Sequence, residues 1–142
     1  MRKRTLINVI LLYPVIQNIE KYAIVVYYWR MITIAETESF QKKVVKLLSV
    51  DEKSELISYL AENPNSGVLI QGTGGLRKLR WARSGGGKSG GVRVVYFYHS
   101  EVMPLYILAV FGKNEKANIS AQEKKILAKL IKELVAYWRE RK

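Results

Sequence analysis

The spacing of the hydrophobic residues changes twice along this chain, and these changes constrain the fold more than any other feature. Between Phe40 and Asn63 and after Ser120, apolar residues recur every three to four positions, as on one face of an α-helix. Between them lie short runs rich in valine, isoleucine, tyrosine and phenylalanine, which are typical of β-strands. Helices and strands in separate segments favour an α+β fold.

Three helices are predicted, and each has a start signal. Thr37 or Ser39 is suited to cap the first helix, because a side-chain oxygen there accepts a hydrogen bond from a free backbone N–H. Ser49–Glu52 and Ser120–Glu123 are capping boxes that begin the second and third helices.

The strands are predicted over Met31–Ala35, Leu76–Ala82, Val92–Tyr98 and Pro104–Phe111. The element order is therefore β-α-α-β-β-β-α, with a mostly antiparallel sheet. The glycine-rich stretch Ser84–Gly91 is interpreted as a flexible hairpin connection between two of these strands.

A relaxed phosphate-loop pattern, Ala82–Ser89, overlaps this connection. A nucleotide-binding loop of this type needs a helix after it, whose N-terminus faces the phosphates. Here a predicted strand comes next, so the resemblance to a phosphate loop is interpreted as accidental.

The first 30 residues differ from the rest. The apolar run Leu6–Ile16 has the outline of a signal peptide, but no A-x-A-like cleavage site comes after it. The uncharged run Thr5–Ile19 has 15 residues, whereas a membrane-spanning helix needs about 20. We expect residues 1–30 to be an N-terminal extension upstream of the true start, residues 31–142 to be the domain, and the protein to be cytoplasmic without membrane contact.

Charge is distributed unevenly along the chain. The formal net charge is +12, which favours a polyanionic partner. Asn63–Ser100 contains no acidic residue. Its basic residues are Arg77, Lys78, Arg80, Arg83, Lys88 and Arg93. Unpaired cations on strands suit phosphate contacts, and nearby tyrosines offer faces for base stacking. The alternative is a solvated basic face with the tyrosines in the core.

Several kinds of site are excluded by composition. The chain has no cysteine and one histidine, His99, so neither a zinc site nor a Ser-His-Asp triad is predicted. We expect no metal and no cofactor, and we expect His99 to lie at the surface.

Three motifs together carry a family resemblance: Gln71–Arg80, Lys88–Tyr96 and Lys113–Lys116. In this order they resemble the HigB-like branch of the RelE/ParE toxin superfamily, over roughly Met31 to the C-terminus. The resemblance implies a small RelE-like fold and the toxin of a type II toxin–antitoxin system. It also implies a ribosome-dependent mRNA endoribonuclease that inhibits translation. The implied partners are mRNA, ribosomal RNA and a HigA-like antitoxin with a helix-turn-helix.

In the family's reaction the substrate 2′-OH attacks the adjacent phosphate, and no metal is needed. By resemblance, the residues expected to stabilise the reacting phosphate are Lys78, Arg80, Arg93 and Lys113. The residues expected to bind RNA are Arg77, Arg83, Lys88, Tyr96 and Lys116.

The sequence departs from the better-known RelE pattern at two places. Asn114 stands where an arginine is common, and the region around Ser120 lacks the tyrosine often assigned as general base. Glu115 is a conceivable base, but we interpret it as one half of a structural ion pair. Two alternative functions are a ParE-like toxin that acts on a DNA topoisomerase without catalysis, and a basic RNA-binding module without activity.

Overall fold

A computed structural model describes residues 32–82, 91–113, 115 and 119–141. These residues form five strands and three helices. The strands are β1 (Ile34–Glu36), β2 (Val68–Leu69), β3 (Leu76–Trp81), β4 (Val92–Phe97) and β5 (Leu105–Gly112). The helices are α1 (Glu38–Leu47), α2 (Val50–Glu62) and α3 (Ala121–Arg139). Residues 1–30, the predicted extension, lie outside the described residues.

The strands form one mixed sheet with the order β1-β5-β4-β3-β2. The β1 strand pairs with β5 in parallel, and the other neighbours are antiparallel. The α+β class and the mostly antiparallel sheet are confirmed. The observed order contains one strand more than predicted, because β2 has only two residues, both exposed. A strand this short has no alternation of buried and exposed residues for a sequence pattern to detect.

The helices begin where the caps predict. Thr37, rather than Ser39, caps α1, and its side-chain oxygen accepts from the Phe40 N–H at 3.3 Å. Ser49 and Ser120 form complete capping boxes at the starts of α2 and α3. Each box satisfies backbone N–H groups that the first helical turn leaves without partners.

The two faces of the sheet pack against different helices. The closed face packs against α1 and α2, and its core includes Phe40, Leu56, Leu60 and Tyr96. The open face packs against α3. Its buried residues are Leu76, Val95, Phe97, Met103, Phe111 and Ile131. The open face therefore has a smaller core, supplied by a single helix.

A β-bulge interrupts the pairing of β4 with β5. Val95 pairs with Ala109, but the next residue of β4, Tyr96, pairs with Ile107. Leu108 is therefore an extra residue in β5. The Thr37 hydroxyl donates to the Ile107 carbonyl at 2.9 Å, so the start of α1 is attached beside the bulge.

None of the described helices has the length and apolar character needed to cross a membrane.

Candidate functional site

A glycine-rich turn before β3 fixes where that strand begins. Gly72 and Gly74 have φ values of 80° and 79°, which disfavour any residue with a side chain. Between them, the Thr73 hydroxyl donates to the Ile70 carbonyl at 2.6 Å and accepts from the Leu76 N–H at 3.1 Å. The first predicted motif therefore has a structural role at its start, which is to hold the β3 strand in register.

That register brings three basic residues together on the open face. Arg80 pairs directly with Arg93, and Lys78 pairs with Val95. Residues directly opposite on antiparallel strands share a face, and so do residues two apart on one strand. Arg80 is exposed, whereas Lys78 and Arg93 are half-buried. We call Lys78, Arg80 and Arg93 the basic cluster.

Helix α3 crosses the sheet at the end opposite the basic cluster. Its contacts lie where Phe97 pairs with Leu76 and Tyr106, and Trp138 Nε1 donates to the Tyr106 hydroxyl at 2.8 Å. Arg93 is four residues from Phe97 along β4, a distance of about 13 Å along an extended strand. The open face thus has one end under a helix and one basic end.

The guanidinium of Arg93 has an unused donor. Its Nη1 is buried and has no hydrogen-bond partner among the described residues. A Cβ at Gly91 would lie 3.8 Å from this nitrogen, so the glycine leaves space beside it. A buried N–H donor without an acceptor is costly, and an anion bound beside it would remove that cost.

Lys113 lies at the same end of the sheet as the basic cluster. It is exposed and comes after Gly112, which pairs with Val92 at the start of β4. The turn after β5 is held by Glu115, whose carboxylate accepts from the Gly112 N–H at 3.0 Å and forms an ion pair with Lys43 of α1. These two contacts, the Lys43 hydrogen bond being the larger, lower the pKa of Glu115.

The structural interpretation of Glu115 is therefore confirmed. Lys43, which positions this turn from α1, was not predicted. The two partners are 72 residues apart in the chain, and no local pattern connects them.

Two residues predicted to contact RNA lie elsewhere. Arg77 is on the closed face, where its Nη1 donates to the carbonyls of Asn65 and Gly67 at 3.1 and 2.8 Å. Tyr96 is fully buried, and its hydroxyl accepts from the Gly67 N–H at 2.8 Å and donates to the Pro64 carbonyl at 2.9 Å. The prediction that Tyr96 stacks on RNA is wrong, because its ring has no exposed face. Arg77 instead stabilises the turn after α2.

Two other tyrosines near the basic strands, Tyr106 and Tyr98, also make contacts within the protein. Tyr106 is half-buried and bonded to Trp138. Tyr98 packs beside the closed-face core, and burial, with a smaller contribution from Glu101, raises the pKa of its hydroxyl above 10.0. His99 is exposed, as expected.

The remaining predicted RNA contacts are Arg83, Lys88 and Lys116, and they lie outside the described residues, as does Asn114. A nucleotide-binding phosphate loop is excluded, because the residue after Gly91, Val92, begins a strand instead of a helix.

Comparison with protein families agrees with this geometry. The family model for the "RelE toxin of RelE / RelB toxin-antitoxin system" matches residues 34–141, which includes every described strand and helix. The chain belongs to the RelE toxin family.

Proposed function

We propose that this protein is an endoribonuclease that cleaves mRNA on the ribosome and so inhibits translation in the cytoplasm. Membership of the RelE family makes it the toxin of a toxin–antitoxin system and implies an antitoxin partner. The nuclease activity is supported by one observation above all, the direct pairing of Arg80 with Arg93 on the open face.

A pair of like charges directly opposite each other destabilises a sheet. No acidic residue nearby in the sequence compensates for this repulsion, because Asn63–Ser100 contains none. A phosphate group between the two guanidiniums would offset the repulsion, since guanidinium binds phosphate through two parallel hydrogen bonds. The partnerless Nη1 of Arg93 would then have an acceptor.

The chemistry needs stabilisation of charge more than it needs a nucleophile from the protein. The substrate 2′-oxygen forms a bond to phosphorus and loses its proton. The bond from phosphorus to the 5′-oxygen breaks, and that oxygen gains a proton. The products are a 2′,3′-cyclic phosphate and a 5′-hydroxyl. Negative charge grows on the phosphate during this step, and fixed cations stabilise it without reorganising.

In this proposal Arg80 and Arg93 hold the non-bridging oxygens of the reacting phosphate. Lys78, two residues from Arg80 on the same face, adds a third charge. Lys113, at the same end of the sheet, contacts the phosphate or its neighbour. Arg83, Lys88 and Lys116 remain predicted contacts to mRNA or ribosomal RNA.

The proposal is tested by primer extension on mRNA incubated with the full-length protein, with and without translating ribosomes. We expect breaks within codons of translated messages and intact naked mRNA. Breaks in naked mRNA at the same rate would contradict the ribosome dependence. Intact mRNA together with DNA damage in expressing cells would instead identify a ParE-like activity.

The antitoxin is proposed to be HigA-like, with a helix-turn-helix. Expression of the adjacent small reading frame should restore growth, and the purified complex should bind its own promoter DNA.

A further inference from the structure

The turn after β5 is closed by two hydrogen bonds between its ends. The Glu115 N–H donates to the Gly112 carbonyl at 3.2 Å, and the Gly112 N–H donates to the Glu115 carboxylate at 3.0 Å. A Cβ at Gly112 would lie 3.1 Å from the same carboxylate oxygen, so the lack of a side chain leaves room for that oxygen. Lys113 lies inside this closed turn, and its side chain is exposed.

Strand pairing does not reach Lys113. The last paired residue of β5 is Gly112, opposite Val92, whereas Arg93 pairs with Phe111. No ion pair among the described residues includes Lys113. The position of Lys113 relative to the basic cluster therefore depends on the turn itself.

Helix α1 is attached to β5 and to the turn at two places. At its N-cap, the Thr37 hydroxyl lies 2.9 Å from the Ile107 carbonyl oxygen and 3.2 Å from that of Leu108, where the bulge is. In the middle of the helix, Lys43 forms an ion pair with the second carboxylate oxygen of Glu115. The turn that carries Lys113 is thus held from a helix of the closed face.

This ion pair adds little to stability. The side chains of Lys43 and Glu115 are 40% and 41% exposed, and an exposed ion pair contributes little to folding. A displacement of about 1 Å in a group that contacts reacting atoms can, in contrast, lower the rate about 10²-fold. The pair therefore matters more for the position of the turn than for the fold.

We propose that Glu115 and Lys43 are positioning residues for the cleavage of mRNA and that they act through Lys113. Glu115 fixes the turn by accepting from the Gly112 N–H, and Lys43 orients the Glu115 carboxylate. The turn then directs the Lys113 ammonium to the phosphate bound at the basic cluster. The inference rests on the proposed function and adds to it two residues that do not touch the substrate.

A general base at Glu115 fits the geometry less well. Both carboxylate oxygens are engaged, one by the Gly112 N–H and the other by Lys43. The same contacts lower the pKa of Glu115, which makes its carboxylate a weaker base. The two roles also differ in their response to Glu115→Gln, because an amide oxygen still accepts a hydrogen bond but cannot take up the proton.

The first test compares Glu115→Ala with Glu115→Gln in the full-length protein, by time courses of primer extension at increasing concentrations of translating ribosomes. Glu115→Ala removes the acceptor of the Gly112 N–H and should lower kcat about tenfold, with KM changed less than about twofold. Glu115→Gln keeps an acceptor and should retain at least about one third of the wild-type kcat. A loss in Glu115→Gln as large as in Glu115→Ala would assign Glu115 to acid–base chemistry and overturn the positioning role.

The contribution of Lys43 is measured with Lys43→Gln. We expect kcat to fall about threefold, because the Glu115 carboxylate loses one of its two contacts. The matched control is Lys42→Gln, which removes the neighbouring cation and its ion pair with Glu38 within α1. Cleavage by the control should stay within about 1.5-fold of the wild type. Equal losses in the two variants would overturn the role of Lys43.

A double-mutant cycle decides whether Glu115 acts through Lys113. If it does, Glu115→Ala lowers kcat about tenfold in the wild-type background and less than about twofold in the Lys113→Ala background. The control cycle pairs Glu115→Ala with Lys78→Ala, and these effects should multiply because strand pairing holds Lys78. Effects that multiply in the Lys113 cycle as well would overturn the proposal.

Failure of the proposed function is distinguished by a binding measurement. The Lys113 cycle is repeated with affinity for translating ribosomes whose mRNA codon carries 2′-O-methyl groups, since that RNA has no 2′-OH to attack the phosphate. A wild-type protein that cleaves no mRNA would refute the proposed function. Non-additive affinities in the cycle would still support the positioning of Lys113, and additive affinities would overturn it.

Discussion

Arg77 and Arg80 lie three residues apart on β3, and their side chains project from opposite faces of the sheet. On the closed face, the Arg77 guanidinium donates to two backbone carbonyls of the turn after α2. On the open face, Arg80 is exposed and stands directly opposite another arginine. The same residue type is therefore hydrogen-bonded within the protein on one face and exposed opposite a like charge on the other.

The two faces of the sheet also differ in how they are covered. The closed face packs against two helices and has the larger core. Its Tyr96 is fully buried, and the Tyr96 hydroxyl accepts from the Gly67 N–H in the turn after α2. The open face receives one helix at one end, and at its other end Arg93 Nη1 has no hydrogen-bond partner among the described residues. Substitutions on the closed face should change stability, and substitutions in the basic cluster should change activity.

The largest effect is expected from Arg93→Ala. Loss of one group that stabilises the transition state lowers the rate by about 10²–10³-fold. The free energy of unfolding should hardly change, because the removed charge faces Arg80. Primer extension on translating ribosomes measures the first quantity, and urea unfolding measures the second.

The matched control is Arg77→Ala on the other face of the same sheet. It should lower stability by about 1 kcal/mol and leave cleavage per folded molecule unchanged. Equal losses of cleavage in the two variants would show that the two faces are not functionally distinct.

A smaller effect, on stability alone, is expected from Gly67→Ala. A Cβ at this position would lie 2.8 Å from a ring carbon of Tyr96 and 3.1 Å from the Cβ of Arg77. Tyr96 is fully buried and has no room to move away. The free energy of unfolding should fall by about 2–3 kcal/mol, measured by urea unfolding. A loss below experimental error would mean that the turn is free to shift and does not hold the closed face.

Tyr96→Phe should have a still smaller effect. It removes the hydroxyl that joins the Gly67 N–H and the Pro64 carbonyl, while the ring stays in the core. Leaving these groups unpaired costs about 1–2 kcal/mol. Cleavage by the folded variant should equal that of the wild type. A fall in cleavage without a fall in stability would show that Tyr96 contacts RNA despite its burial.

The smallest effect is expected from Glu115→Gln, near the open end. The pKa of Glu115 is lowered below the ordinary value of 4.5 by Lys43 and the Gly112 N–H. Its contribution to stability is therefore complete above pH 4.5 and is lost as the pH falls through the lowered value. The difference in urea midpoint between wild type and variant should vanish in acid.

Lys43→Gln should remove most of the same pH dependence, because Lys43 is the larger cause of the shift. Should the pH dependence survive in Lys43→Gln, the ion pair is not its source.

The helices were predictable because their starts depend on residues three positions apart. Ser49 with Glu52, and Ser120 with Glu123, satisfy each other locally whatever the rest of the chain does. The positions of the basic side chains were less predictable. The sequence of β3, LRKLRW, has leucine at both 76 and 79, so its apolar residues do not alternate and do not show which cations share a face.

The burial of Tyr96 could not be predicted for a similar reason. A tyrosine in a strand of apolar and aromatic residues suits either a core or a stacking surface. Its burial depends on long-range contacts with Pro64 and Gly67, which are 32 and 29 residues away in the chain. The ion pair of Lys43 with Glu115 is more distant still.

The extra residue in β5 changes which face of the sheet the side chains after it occupy. Leu105 and Ile107 pack on the closed face, and simple alternation would place Phe111 there too. Because Leu108 is inserted, Phe111 instead belongs to the open face, opposite Arg93. Regular pairing of all eight residues without the bulge would turn one half of β5 inside out. The bulge therefore fixes which side chains of β5 lie beside Arg93, although the strand itself has no basic residue.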